Sequence, residues 1–194
     1  MVRRAFTVPL LAAAATLLSA CAALPPAVRG GSTDAARDEP FAVEGRLSAR
    51  HGVDAVAGHF YWVHGVDRDT ITLDTALGQT LARLSGSGDE AKVELADGRV
   101  SEARDWETLT QQALGVPLPV SGLAWWMRGV PHPRATATIE PDAAGRPTVL
   151  RQDGWEIVYA YADDGSRRPS RMRLAWPDVE VRLAIDRWLR PDAP

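Results

Sequence analysis

Few residues in this 194-residue chain have the type and spacing that covalent or metal chemistry requires. Cys21 is its only cysteine, so no internal disulfide can form. The four histidines, His51, His59, His64 and His132, lack the short-range partners of a common metal site. On a regular strand His59 and His64 point to opposite faces, and all four histidines read as polar rim residues. Most of the 25 acidic residues fall in turns or on polar strand faces, where solvated charge is the default. No Gly-x-Ser-x-Gly elbow and no phosphate-cradling glycine loop occurs. The inventory points to binding rather than catalysis, with no metal and no cofactor.

The chemistry that remains is acylation of Cys21. Arg3 and Arg4 open a leader that continues as an apolar run to Leu18. A basic start, a short apolar middle and small residues before a cut describe a secretory signal. The stretch Leu18-Ser19-Ala20-Cys21 resembles the bacterial lipobox, whose thiol receives a diacylglycerol and whose new amino terminus receives a further acyl chain. Residues 1–20 are therefore expected to be a signal peptide, and residues 21–40 an acylated start and flexible tether. Each buried methylene contributes about 0.8 kcal/mol, and more than one chain is needed for stable anchoring. Three chains would hold the protein on a bilayer without a transmembrane helix, and no later stretch is long and apolar enough to be one. Residue 22 is Ala. Asp at that place resembles the inner-membrane retention signal of enterobacterial lipoproteins, so Ala22 points to the outer membrane.

The rest of the chain, residues 41–190, fits one domain. The whole chain has 25 acidic residues against 22 basic ones, and two of the latter lie in the leader. A mildly acidic body argues against nucleic acid or a broad anionic surface as partner. Seven tryptophans are the odd feature, and most are expected in a core or a cavity wall.

Alternation with period two marks strands at 41–50, 59–64, 70–74, 79–84, 91–95 and 99–101, an antiparallel meander. Asp97-Gly98 and Asp153-Gly154 suit hairpin turns with positive φ. Asp105 caps a helix over 106–114 that Gly115 stops. Trp106, Leu109 and Ala113 share one of its faces. Val116-Pro117-Leu118-Pro119 is a stiff connector. Ser121 is expected to cap a second helix over 123–128, too short to stand without tertiary packing. Strands return at 135–140, 148–152, 155–161, 171–176 and 179–188. In the last, Val179, Val181, Leu183 and Ile185 oppose Glu180, Arg182, Ala184 and Asp186. One apolar and one wet face describe a sheet curled around a core. The expected class is α+β: an incomplete antiparallel β-barrel with covering helices around an apolar cavity.

An ordered set of residues now carries a more specific likeness. It runs Phe41 with Gly45-Arg46-Leu47, Phe60-Tyr61-Trp62, and Leu73 through Gly78. It continues with Leu109, Leu114 through Pro119, Leu123 through Gly129 with Pro131, Gly154 through Tyr159, and a final strand ending at Trp188. This set resembles the LolB family of outer-membrane lipoprotein receptors, of LolA-like fold, from Phe41 to Trp188. The resemblance implies a receptor that accepts lipoproteins from the periplasmic carrier LolA and inserts them into the outer membrane. It also implies a lipid-anchored monomer facing the periplasm, an acyl-holding interior and a protruding loop tipped by a leucine. Leu77 matches that leucine, with Ala76 where the family usually has proline. Candidates for the cavity wall are Phe60, Trp62, Leu73, Leu84, Trp125, Trp126, Met127, Ile157, Tyr159, Met172, Leu174 and Leu183. Trp106 and Trp188 could serve equally as structural plugs.

Energetics fit that role. Several acyl chains crossing water bare would expose apolar area worth tens of kcal/mol, at about 25 cal/mol per Å². An apolar pouch offsets this, and aromatic walls accept chains without dictating their shape. Two other binding roles share the same outline. One is a lipoprotein that carries lipid or another hydrophobic ligand; the other is an envelope assembly lipoprotein whose sheet binds protein over a solid core.

Overall fold

Alternating strands with one apolar face bury that face by curling, and a long meander of them tends toward a barrel. The computed structural model describes residues 38–87 and 89–191. The leader, Cys21 and the tether up to residue 37 lie outside the described residues. Eleven strands form one antiparallel sheet. They are β1 (Phe41–His51), β2 (Asp54–His64), β3 (Asp69–Asp74), β4 (Thr80–Gly86), β5 (Ala91–Leu95) and β6 (Val100–Ala103), followed after two helices by β7 (Ala137–Pro141), β8 (Pro147–Gln152), β9 (Trp155–Ala160), β10 (Arg171–Trp176) and β11 (Val179–Leu189). Across the sheet the order is β6-β5-β4-β3-β2-β1-β11-β10-β9-β8-β7. The first and last strands pair at the centre, and the open edges are β6 and β7.

Those two edges are consecutive in the chain, so the segment joining them must bridge the gap that the curl leaves. It carries α1 (Trp106–Leu114) and α2 (Val120–Trp126). The barrel is incomplete for this reason, and the lid is a necessity of the topology.

Helix α1 keeps its expected bounds. Asp105 caps it by accepting from the Thr108 amide at 2.7 Å, which holds the Asp105 carboxyl below its ordinary pKa. Helix α2 does not keep its expected bounds. It begins at Val120, its cap position is Pro119 with no side-chain bond, and Ser121 lies inside it. Pro119 turns the chain and Val120 is drawn into the core, which starts the helix before the serine can cap it. The second strand also starts earlier, at Asp54, because cross-strand pairs such as Ala49 with Val56 extend the hairpin. The strand expected at 135–140 is instead Ala137–Pro141.

The parity expected for β11 holds up to Ile185. A bulge then offsets the register, so Gly45 faces Ile185 while Glu44 faces Arg187. Beyond it Trp188 turns inward and its ring meets Phe41 at 5.6 Å. Trp106 is fully buried beside β5 and β6. Trp106 therefore plugs the core, while Trp188 packs against it half-buried.

Candidate functional site

The concave face of the sheet and the inner face of the lid enclose one apolar interior. Within it lies a void of about 30 Å³, lined by Leu47, Phe60, Trp62, Ile71, Leu73, Leu84 and Leu183 from the sheet and Leu118, Val120, Leu123 and Met127 from the lid. Every lining side chain is apolar. That space suits about two water molecules, and no polar partner would hold them there. As it stands the void is too small for an alkyl chain.

Strand pairing explains the wall. Val43, opposite Trp62, and Gly45, opposite Phe60, share the inward face of β1 with Leu47, while Phe60 and Trp62 face Leu73 and Ile71. Of the twelve wall residues expected, Phe60, Trp62, Leu73, Leu84, Met127 and Leu183 line the void. The other six, Trp125, Trp126, Ile157, Tyr159, Met172 and Leu174, are buried in the same core. Leu47, Ile71, Leu118, Val120 and Leu123 complete the lining and were not among those expected, although Ile71 shares the parity of Leu73.

Helix α2 has little intrinsic stability. Seven residues are too few for a helix to stand alone, and α2 carries a mid-helix glycine and no side-chain cap. Gly122 is required by its neighbour: a Cβ there would come within 2.7 Å of the Trp126 ring. Tertiary bonds hold the lid instead. Buried Gln152 accepts from Trp126 Nε1 and from the His132 amide, both at 2.8 Å, through one oxygen. Its amide nitrogen donates to the carbonyls of His132 and Ala135. Thr110 Oγ1 accepts from the Leu118 amide at 2.7 Å and joins the connector to α1.

A second set of bonds ties the lid's end and β2 to Asp38, in the segment just before β1. His64 is 4 % exposed, and its ring nitrogens lie 2.7 Å from Asp69 and 2.8 Å from Asp38. Asp69 also accepts from Trp62 Nε1 at 2.6 Å. Asp38 in turn lies 3.6 Å from the Arg128 guanidinium, one residue past Met127. Two carboxylates facing both ring nitrogens suit an imidazolium, which donates from each. Burial works against the charge, but the bonds and charges of Asp69 and Asp38 outweigh it and raise the His64 pKa above 6.5. His64 is thus no rim residue.

A histidine whose folded pKa is raised contributes stability fully present below its unfolded pKa and lost as pH rises through the folded value. His132 moves the other way: burial, then Arg134, lower its pKa, so its effect falls below pH 6.5. Thermal melts taken upward from pH 6.5 should therefore show falling stability, and His64→Gln should flatten that slope. An unchanged slope in the variant would remove His64 as its source.

Leu77 stands apart from this core, 88 % exposed. Its loop is a tight turn between β3 and β4. The Gly78 amide donates to the Thr75 carbonyl at 2.9 Å, and the Thr75 amide donates to the Gln79 carbonyl at 2.7 Å. Gly78 has φ 78°, the left-handed residue that closes such a turn. Ala76 occupies a place where proline would pre-set φ. Here the Thr75 hydroxyl, accepting from the Gln79 amide at 3.2 Å, adds the support. Among the described residues no group of three or more His, Cys, Asp or Glu side chains is placed to hold a metal.

Comparison with known proteins gives this geometry its family. Residues 39–188 match the family model described as outer membrane lipoprotein LolB. The outer-membrane lipoprotein LolB of Azoarcus sp. is 36 % identical over 188 residues, covering 95 % of this chain and 96 % of that one. The LolB of Thiobacillus denitrificans is 34 % identical over 179 residues, covering 92 % and 95 %. A solved DUF1329-family structure from Desulfovibrio piger covers 84 % of this chain and 90 % of its own with a TM-score of 0.50 at 10 % identity, a likeness of fold alone. The chain belongs to the outer-membrane lipoprotein LolB family, as a non-catalytic lipoprotein-handling protein that is lipid-anchored in the outer membrane and faces the periplasm.

Proposed function

We propose that this protein accepts acylated lipoproteins from the periplasmic carrier LolA and inserts them into the outer membrane. The observation that carries the reading is the wholly apolar seam between sheet and lid. Residues 118–127 supply one wall of the void and seven sheet residues supply the other. Moving that segment uncovers Phe60, Trp62 and Leu84 as a wall for acyl chains. The void's small size makes lid displacement part of the mechanism. Incoming chains replace the lid's apolar contacts with their own, so the net cost of opening is far below that of exposing the wall to water.

Transfer in this scheme needs no nucleotide. The chains move from carrier to pouch to bilayer, each step favoured by the apolar surroundings at its end. Leu77 at its loop tip enters the bilayer ahead of the client. Acyl chains on Cys21 keep the domain at the membrane, with residues 21–40 as tether, residues 1–20 removed as the signal peptide and residues 41–190 forming the domain. It acts as a monomer.

The reading is tested by mixing purified carrier loaded with a labelled lipoprotein with the purified protein and following the label. The expected result is transfer that depends on the carrier. Lipid binding without any carrier contact would favour a general hydrophobic-ligand protein instead. A separate prediction concerns the anchor. Cys21→Ala, made with residues 1–20 replaced by an ordinary cleavable secretory signal, should move the protein from the membrane to the soluble fraction after a high-salt wash; undiminished retention would contradict acyl anchoring.

A further inference from the structure

The outer face of the sheet, turned away from the lidded interior, carries a depression of about 410 Å³ across β1, β11, β10 and β9. Its form follows from strand register. One rung across the sheet reads Arg46, Ala184, Arg171, Ala160, and the next reads Ser48, Arg182, Arg173, Val158. Small or apolar side chains make the floor, and long arginines stand around it. Toward the far end of β10 the trough continues past Arg50 and Glu180 to Trp176 and Asp178.

The charge arrangement is uneconomical for stability alone. Arg173 lies directly across from Arg182, a like-charge pair that disfavours the sheet. Glu180 serves several arginines at once: it bonds Arg182 at 2.6 Å, lies 3.7 Å from Arg50 and feels Arg173. Arg46 bonds Asp186 at 3.0 Å. Arg171 has no ion pair among the described residues. Five guanidinium groups therefore meet three carboxylates, on a chain whose formal net charge is −3.

We propose that this arginine trough binds the phosphate of a phospholipid headgroup and so rests the outer face of the sheet against the membrane. Planar guanidiniums fit phosphate oxygens two at a time. The apolar floor suits the glycerol and first methylenes that flank a headgroup phosphate. An outer-membrane, lipid-anchored protein has a phospholipid leaflet within reach, which an acidic protein partner would not guarantee. The proposal rests on that location and is independent of client transfer.

The test uses the full-length acylated protein in nonionic-detergent micelles, with ¹⁵N-labelled arginine side chains followed by NMR. Dihexanoyl phosphatidylglycerol should shift the Arg46, Arg171, Arg173 and Arg182 resonances saturably, and added salt should weaken the effect. Replacing Arg171, Arg173 and Arg182 together with Gln should weaken binding on the order of a hundredfold. All three side chains are exposed, and an unchanged melting temperature confirms the fold. Inorganic phosphate binding as tightly as the lipid would overturn the lipid assignment in favour of a free anion. Unshifted resonances would overturn it outright. So would a triple variant that keeps its lipid affinity but loses carrier binding, which would mark the trough as a protein-docking face. A lipid held only in the lidded interior would be insensitive to the three substitutions, so this result and the transfer assay fail separately.

Discussion

Leu77→Glu should leave the domain folded and nearly abolish delivery of clients to the membrane. The side chain is 88 % exposed and the turn is held by backbone bonds and Thr75, none of which involves it. Stability should therefore change by no more than about 0.5 kcal/mol, the usual range for a surface site. Delivery is different. A leucine entering the bilayer gains about 1.5–3 kcal/mol, and an acidic residue at depth costs roughly 2.5–3.5 kcal/mol on insertion scales. The swing, about 4–6 kcal/mol for full insertion, corresponds to a loss of about a thousandfold or more, and to less where the tip reaches only the interface. Transfer from the carrier to the variant in solution should continue. Insertion at the wild-type rate would remove Leu77 from the membrane step.

The largest loss of stability should follow Trp126→Ala. Trp126 is 1 % exposed and stands between the lid and the far wall of the sheet, where its ring lies 6.2 Å from that of Trp155. Trp155 in turn stacks on Trp176. Truncation leaves a large cavity, and such changes cost about 3–5 kcal/mol. The hydrogen bond adds little, because the Gln152 oxygen keeps the His132 amide as a donor. For a domain of this size the melting temperature should fall by roughly 10 °C. Because the lid is tied to β8 through this residue, the variant should also bind apolar fluorescent probes more strongly than the parent. A drop of only a degree or two would show that the lid is not held by Trp126.

Parts of this arrangement are legible in the sequence alone. Asp105, Trp106, Leu109 and Gly115 marked α1 because capping and helical spacing act within a few residues. Asp153-Gly154 marked a hairpin for the same reason, and both residues adopt positive φ. The inward set of β11 was legible as far as Ile185, where a bulge breaks the period that parity assumes. The early start of α2 was not legible, because burial of Val120 is a tertiary fact that overrides a good cap at Ser121. His64 reads as a rim residue from the sequence for a similar reason. Asp69 is near in sequence, but Asp38 lies on the other side of β1, and only the fold brings it to the ring. Gln152 carries no local signal at all; its four bonds all reach residues at least 17 positions away.

The wall of the void shows the same division. Residues on one strand sort by parity, so Phe60 with Trp62, and Leu73 with Ile71, belong together from the pattern alone. Which face turns inward is decided by the curl and by the lid. Leu118, Val120 and Leu123 come from a proline-rich connector and a short helix whose position depends on the edges they bridge. The arginine trough was hidden by the net charge, which averages an acidic body over one basic face. Its signal was nonetheless present in the outward parity of Arg46, Arg171, Arg173 and Arg182.

The account depends most on the lid giving way to acyl chains. A photo-crosslinking residue placed at Leu84, on the sheet wall, reads this directly when the protein is offered carrier loaded with a lipoprotein whose acyl chains are radiolabelled. Labelled adducts should form at Leu84 and be absent from a control probe at Thr72, on the outer side of the neighbouring strand. Efficient transfer with no adduct at Leu84, or with adducts as strong at Thr72, would contradict an interior that opens to hold the chains.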